Sequence, residues 1–306
     1  MKVLILGSNG LVGSSLVRKF LVNPFFSEVL SPKREELDLF QFSTLEKYLN
    51  ENKPHYVVNA AAKVGGILAN NTYRSEFILE NLKININLLE ALIPHKEIKL
   101  VNLGSSCIYP LNAENPIKEE SIMTGELEKT NSPYAMAKLT AIELGNSLRS
   151  QYGHKIVNLM PTNLYGPNDN FSDKESHVIP GLMGRMHETK LEKGSLFEVW
   201  GTGNPLREFL YVDDLAEAIS FIIENDINEE LINIGSNEEI SIKDLVLSMM
   251  KIVDFNGDIF FNSEYPDGNP RKLLDSSKIL NLGWKPKTSI SHGLKLTYDW
   301  YLKEKV

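Results

Sequence analysis

The sequence is short of the features that mark several protein classes. Cys107 is the only cysteine among 306 residues, so there is no thiol pair for the disulfide framework that staples small secreted domains. Positive charge is not in excess: 32 Lys and Arg against 40 Asp and Glu give a formal charge of −8. A chain with no basic field is not built to hold a nucleic acid. No apolar run approaches the roughly 18 residues of a membrane span. The opening Met1-Lys2-Val3-Leu4-Ile5-Leu6-Gly7 is too short for the apolar core of a signal peptide. The expected compartment is therefore the cytoplasm, with no membrane partner. No spacing of His, Cys and acidic residues suits a metal, and there are no internal repeats or biased tracts.

What is present suits a folded enzyme. The composition is 42% hydrophobic and 24% charged, ordinary for a chain with a real core. At about 150 residues per domain the length fits two domains, or one large domain with an elaborated second lobe.

Val3-Leu4-Ile5-Leu6 is a short continuous apolar run, as expected of a strand buried on both faces. Gly7-Ser8-Asn9-Gly10-Leu11-Val12-Gly13 follows at once, then a helical segment with Leu16, Val17 and Phe20 on one face. In a strand, glycine turn and helix of this kind, the first glycine permits the turn and the second lets backbone approach a pyrophosphate. The third brings helix against strand, and the helix N-terminus offers free N–H groups to the anion. The spacing is GxxGxxG rather than GxGxxG. After a second strand near Glu28-Val29-Leu30, an NAD enzyme usually places an acid for the ribose 2′-hydroxyl. This chain has Ser31-Pro32-Lys33-Arg34 instead, and the cations Lys33 and Arg34 favour the 2′-phosphate of NADP.

Further buried strands are predicted around residues 54–61, 100–104 and 156–160, and residues 76–93 carry apolar positions at helical spacing. The alternation predicts an α/β fold, a Rossmann-type doubly wound parallel sheet with helices on both faces. Beyond Gly166 the chain turns polar through 167–177. Asp213 and Asp214 offer two possible caps for a helix, and Ser241 heads another. The expected division is a nucleotide-binding domain over 1–165 with a returning segment at about 205–235, and a smaller C-terminal substrate lobe from 166–204 and 236–306.

Tyr134 and Lys138 stand four apart in a helix that can start at Ser132-Pro133, so they share a face. A lysine there lowers the phenol's pKa and can reach a nicotinamide ribose, while the tyrosine exchanges a proton with a carbonyl or carbinol oxygen. Gly104-Ser105-Ser106-Cys107 lies at the carboxyl end of a predicted strand, the edge where open α/β sheets hold ligands. Cys107 reads either as a buried small hydrophobe or as a reactive thiol. His177 reads either as a proton donor or as a satisfied surface residue. Arg185 and Arg207 suit an anionic substrate, and Arg207 is the less ordinary because Leu206, Phe209 and Leu210 surround it.

These segments resemble the extended short-chain dehydrogenase/reductases, and within them the enzymes that epimerise and then reduce a GDP-4-keto-6-deoxy sugar. The resemblance covers essentially the whole chain. It runs through Gly7 to Gly13, Ala60 to Ile67, Ser105-Ser106-Cys107-Ile108-Tyr109-Pro110, Pro133-Tyr134-Ala135, and Met160 to Pro167. It continues in Asp169-Asn170-Phe171, Ser176-His177-Val178-Ile179-Pro180 and Arg207-Glu208-Phe209. It implies 3,5-epimerisation of GDP-4-keto-6-deoxy-D-mannose followed by reduction of the 4-keto group with NADPH, giving GDP-L-fucose.

Carried over residue by residue, the resemblance makes Ser105, Tyr134 and Lys138 the reductase triad, and Cys107 and His177 the epimerisation acid/base pair. It places Gly7, Ser8, Asn9, Gly10, Leu11, Val12, Gly13, Pro161, Asn163, Leu164 and His177 at the cofactor, together with Tyr134 and Lys138. Arg185, Trp200, Arg207 and Lys272 become substrate-site candidates, with Arg271 an alternative to Lys272. It also implies a homodimer paired through helices beside the nucleotide domain. Some relatives carry an arginine where this chain has Asn9, which leaves Lys33 and Arg34 to hold the 2′-phosphate. Sibling 4-epimerases and 4,6-dehydratases, which keep oxidised cofactor bound, are the alternative enzymes. A protein that kept the fold and lost catalysis is the alternative class.

Overall fold

Val3, Leu4, Ile5 and Leu6 are all but inaccessible, because side chains that alternate across a strand meet a helical layer on each face. The computed structural model describes residues 1–172, 176–265 and 267–304. Residues 173–175 of the polar stretch, and Pro266 in the loop after Tyr265, lie outside the described residues. In chain order the first half comprises β1 (Lys2–Leu6), α1 (Leu11–Leu21), β2 (Glu28–Leu30), α2 (Phe42–Asn52), β3 (Tyr56–Asn59), α3 (Ile67–Thr72), α4 (Arg74–Leu92), β4 (Lys99–Leu103) and α5 (Ser132–Tyr152). It continues with β5 (Ile156–Pro161), β6 (Asn163–Tyr165), α6 (Val178–Leu191), β7 (Leu196–Trp200), β8 (Leu206–Tyr211), α7 (Val212–Glu224) and β9 (Leu231–Ile234). The last elements are β10 (Glu239–Ser241), α8 (Ile242–Val253), β11 (Asp258–Asn262), β12 (Arg271–Lys272), α9 (Ser277–Leu282) and α10 (Ile290–Glu304).

Six strands form one sheet in the order β2-β1-β3-β4-β5-β9, parallel throughout. This is the doubly wound Rossmann arrangement. Val3 and Ile5 join a core with Leu16 and Phe20 of α1 and Leu215 and Ile219 of α7. Leu4 and Leu6 face the opposite layer, with Leu45 of α2 and Leu88 of α4.

Across the middle of this sheet runs a buried chain of amides. Asn59, Asn102 and Asn158 occupy the same register on β3, β4 and β5. Asn59 Nδ2 donates to Asn102 Oδ1 at 3.0 Å, and Asn102 Nδ2 to Asn158 Oδ1 at 3.1 Å. Asn59 also meets Asn85 of α4. Each amide finds partners, which is what lets polar groups sit in the core.

The C-terminal lobe carries smaller sheets: β10-β8-β12 with β6 on β8, and the parallel pair β7 and β11. Segment 205–235 divides between the two parts. Its strand β8 pairs with β6, β10 and β12, whereas α7 packs on α1 and β9 completes the main sheet. The helix predicted at Asp213-Asp214 forms, but neither aspartate caps it. Tyr211 holds the N-cap position, and both carboxylates lie in the first turn. Asp213 accepts Ser15 and Arg18 of α1, and Asp214 accepts the Thr288 amide. Ser241 does cap α8, its Oγ accepting the Asp244 amide at 3.0 Å.

Candidate active site

The glycine turn sets the first half of the site. Gly7 has φ +78°, and a Cβ on Gly13 would stand 2.0 Å from the Gly7 carbonyl oxygen. Those two positions therefore need glycine for the protein's own packing. Gly10 does not. A Cβ there would meet only the Gly7 oxygen, at 3.6 Å, and Asn9 and Gly10 are both exposed. The bare surface at Gly10 opens α1, which has no side-chain cap and no acid in its first turn. This cradle fits a dinucleotide pyrophosphate. Ser8 Oγ donates to the carbonyls of Ser31 and Pro32 at 3.3 and 3.4 Å, which ties the end of β2 beside the turn. Lys33 and Arg34 follow immediately and are exposed, the Arg34 guanidinium lying 5.0 Å over the Phe40 ring. The exposed cations beside the cradle suit a 2′-phosphate.

The second half is built where β4 ends. The chain breaks into a single 3₁₀ turn, Ser106–Ile108, with Ser105 at its N-cap accepting the Cys107 amide at 3.2 Å. Tyr134 and Lys138 come one turn apart from α5. Lys138 is 2% exposed, and its ammonium donates to the Leu103 carbonyl at 2.7 Å while lying 5.8 Å from the Tyr134 ring centre. Burial brings the lysine down from its ordinary value to about 8. Burial pushes the Tyr134 phenol up, and the charge of Cys107 adds to that; a hydrogen bond with Ser105 works the other way. Burial is the larger influence on the phenol, and it works against the acidification expected from Lys138. The ammonium gives one of its three protons to Leu103, and burial favours the neutral, proton-donating phenol.

Cys107 Sγ lies 3.8 Å from the ammonium of Lys272, which β12 carries into the site. Arg271, the alternative to Lys272, points elsewhere. It is exposed and makes a bidentate pair with Glu239, at 2.7 to 3.0 Å. Lys272 lies opposite Arg207 in the parallel pairing of β12 and β8. Arg185 of α6 stacks its guanidinium over Phe197 and Trp200, at 5.4 and 5.3 Å, and Trp200 stacks on Tyr265 at 4.8 Å. Trp200 and Tyr265 are both largely exposed. A cationic, aromatic corner of this kind can take a nucleoside diphosphate.

Asn163 follows Pro161 into β6, its Nδ2 donating to the Glu208 carbonyl at 2.9 Å, and Leu164 lies half-buried beside it. His177 occupies the N-cap position of α6, with extended backbone and a ring that caps nothing. The residue as a whole is exposed, and burial around its ring lowers the pKa of the imidazole. Two further groups were given no role from the sequence. Glu128 accepts Thr130 Oγ1, the Thr130 amide and the Asn131 amide. Burial opposes its charge, but those bonds and Lys272 outweigh burial and hold the carboxyl below its usual range. Asp169 has one oxygen on the Asn170 amide at 2.8 Å and the other buried without a partner. Burial pushes it up to about 7. Among the described residues no cluster of His, Cys, Asp and Glu could hold a metal.

The profile of the NAD dependent epimerase/dehydratase family matches residues 3–235, from β1 through the strand that closes the main sheet. The chain belongs to that family. GDP-L-fucose synthase 1 of Arabidopsis thaliana is 48% identical over 302 residues, covering 99% of this chain and 93% of its own. Among solved members of similar fold is a GDP-D-glycero-L-gluco-heptose synthase of Campylobacter jejuni in the presence of NADPH. It matches with a TM-score of 0.89 at 32% identity over 98% of each chain. A GDP-L-fucose synthetase from Naegleria fowleri bound to NADP has a TM-score of 0.89 at 27% identity, over 99% of this chain and 94% of that one.

Proposed function

We propose that the protein converts GDP-4-keto-6-deoxy-D-mannose to GDP-L-fucose, by epimerisation at C3 and C5 and NADPH-dependent reduction at C4. One observation carries the reading: a thiol beside an ammonium, Cys107 and Lys272, stands next to a serine–tyrosine donor pair at one sheet edge. A reductase needs only the donor pair. A C–H acid substrate needs the thiol as well.

The 4-keto group acidifies the protons on C3 and C5, since each carbanion is an enolate with its charge on O4. Cys107 as thiolate takes the proton at each centre, and His177, protonated when it acts, returns one to the opposite face of that carbon; proton exchange with water restores thiolate and imidazolium between the two inversions. Ser105 and Tyr134 aim their hydroxyls at the oxygen where charge develops, the position in which fixed donors contribute most. NADPH bound at the glycine turn supplies the hydride for C4. Tyr134, held neutral by burial, gives its proton to O4. Lys138 fixes the α5 end of the site through Leu103 and presents its charge to the ribose side. Arg185, Trp200 and Arg207 take the GDP moiety.

The same reading makes the protein a cytoplasmic homodimer. A reactive free thiol is preserved in a reducing compartment. The exposed Leu79 and Ile86 of α4, with Met136 of α5, offer an apolar helical face for pairing.

The deciding assay follows oxidation of NADPH, with NADH in parallel, in the presence of GDP-4-keto-6-deoxy-D-mannose, and identifies the product by NMR. Formation of GDP-L-fucose with preference for NADPH is the expected result. No consumption by folded protein, with oxidised nucleotide carried through purification, would overturn it in favour of a sibling 4-epimerase or dehydratase.

A further inference from the structure

Lys272 reaches the site on a strand that is anchored along its length. The Leu206 amide donates to the Pro270 carbonyl at 2.9 Å, Asn115 Oδ1 accepts the Leu273 amide at 2.8 Å, and the Ile117 amide donates to the Leu273 carbonyl at 2.8 Å. Leu274 is fixed in turn by Glu208. The backbone on either side of Lys272 is therefore fixed, and the stem of the lysine spans from it to the thiol. Its neighbour Arg271 is neutralised by Glu239, but among the described residues no carboxylate lies within ion-pair distance of Lys272. The lysine donates instead to Cys107 Sγ, at 3.8 Å. Besides Lys272, the titratable groups coupled to this pair by charge are the Tyr134 phenol, which feels Cys107, and the Glu128 carboxylate, which feels Lys272.

We propose that Lys272 is the counter-ion of the Cys107 thiolate, so that it makes the cysteine a base instead of serving as a contact for the nucleotide. The proposal rests on Cys107 being the base of the epimerisation. A cation at this range favours thiolate over thiol, since only the thiolate is attracted to it. The proton balance is simple. The substrate C–H bond breaks as an S–H bond forms, and the ammonium keeps its own proton throughout. The Glu128 carboxylate feels the charge of Lys272, so carboxylate, ammonium and thiolate alternate in sign.

Because Cys107 is the only cysteine, alkylation by iodoacetamide reports on it alone. The rate is measured against pH on the full-length protein without substrate, for the parent, Lys272→Met and Lys272→Arg. With the counter-ion removed, Lys272→Met moves the alkylation profile to higher pH by about one unit, so labelling near neutrality slows about tenfold, while Lys272→Arg stays close to the parent. Solvent deuterium entry at C3 and C5 falls in parallel, with KM for the GDP-sugar changed much less than kcat. An alkylation profile unmoved by Lys272→Met, with KM raised, overturns the proposal and returns Lys272 to substrate binding. NADPH binding by each variant confirms the fold, and Lys272→Gln replaces Lys272→Met should the latter not fold. Exchange that persists in Cys107→Ser instead removes the cysteine from the mechanism, a separate result from the alkylation shift.

Discussion

Glu208 Oε2 accepts the amide of Leu274 at 3.1 Å, and through that bond a fully buried carboxylate holds the strand that carries Lys272. Its other oxygen accepts the Asn237 amide at 2.8 Å, just past the end of β9. The same residue's backbone carbonyl accepts Thr162 and Asn163 after β5. Glu208 thus ties the ends of two main-sheet strands to the sheet of the C-terminal lobe. It follows Arg207 on β8, so one residue meets the substrate corner and the next meets the core.

Replacing that carboxylate by an amide turns an NH2 group toward backbone N–H donors. Glu208→Gln is expected to cost about 2–3 kcal/mol of stability, the penalty for leaving buried donors unpaired. Gly235→Ala should act at the same place, because its Cβ would lie 2.2 Å from Glu208 Oε1. The two losses, measured by urea unfolding, should be well below additive in the double variant, since each disrupts the same contact.

The glycines of the first turn divide by what surrounds them. Gly13→Ala places a Cβ against the backbone of Gly7 and Ser8, so the isolated protein should be markedly destabilised. Gly10→Ala has room in the protein alone, and its melting temperature should stay within a degree or two of the parent. Its affinity for NADPH should nonetheless fall at least tenfold, because the methyl occupies the side from which a pyrophosphate approaches. Titration of both variants with NADPH separates the two effects, and unchanged affinity in Gly10→Ala would move the cofactor away from this turn.

Much of the main sheet was legible because its strands are short apolar runs: Val3 to Leu6, and residues 56–59, 99–103 and 156–161, lie where the runs predict them. The Tyr134–Lys138 face was legible for the same reason, since helical spacing is local. Contacts between distant segments leave no such trace. The strands that carry Asn59, Asn102 and Asn158 each read apolar, apolar, asparagine, but a ladder exists only once register aligns them. Cys107 and Lys272 are 165 residues apart. Arg207 looked unusual among apolar neighbours, and the reason is that it belongs to β8, whose Phe209, Leu210 and Tyr211 enter the cores. Asp213 and Asp214 suit a cap by type, but partners on α1 and before α10 claim them. Glu128 had a local signal, Glu-x-Thr-Asn ahead of Ser132-Pro133, that reads as a turn closing on the helix start.

Tyr134 and Lys138 should separate the two halves of the reaction. Tyr134→Phe removes the proton donor for O4, and reduction should fall about 100-fold or more, while deuterium exchange at C3 and C5 persists. Comparable loss of both would show that the phenol is not specific to hydride transfer. The lysine sets a pH limit: it is charged below about 8 in the unliganded protein. As pH rises through that value the ammonium is lost, so cofactor binding to free enzyme should weaken on the alkaline side. Lys138→Met should be weak at every pH and show no alkaline limb.

Asp169 gives a pH dependence of the opposite kind to a salt-bridged acid. Its carboxyl sits at about 7, raised by burial from an ordinary 3.8, with one oxygen that has no partner. The folded protein therefore holds this proton more tightly than the unfolded chain. Its contribution is fully present below about pH 4 and is lost as pH rises toward and through 7. Three units correspond to about 4 kcal/mol at most, and partial access of water to the side chain makes about 1–2 kcal/mol the expected size. Asp169→Asn keeps the shape and has no proton to lose. Relative to the parent it should gain stability steadily from pH 5 to pH 8, measured by thermal or urea unfolding with the two proteins in the same buffers. A difference between them that is flat across that range would mean Asp169 is ionised throughout, and that its second oxygen finds a donor in solution.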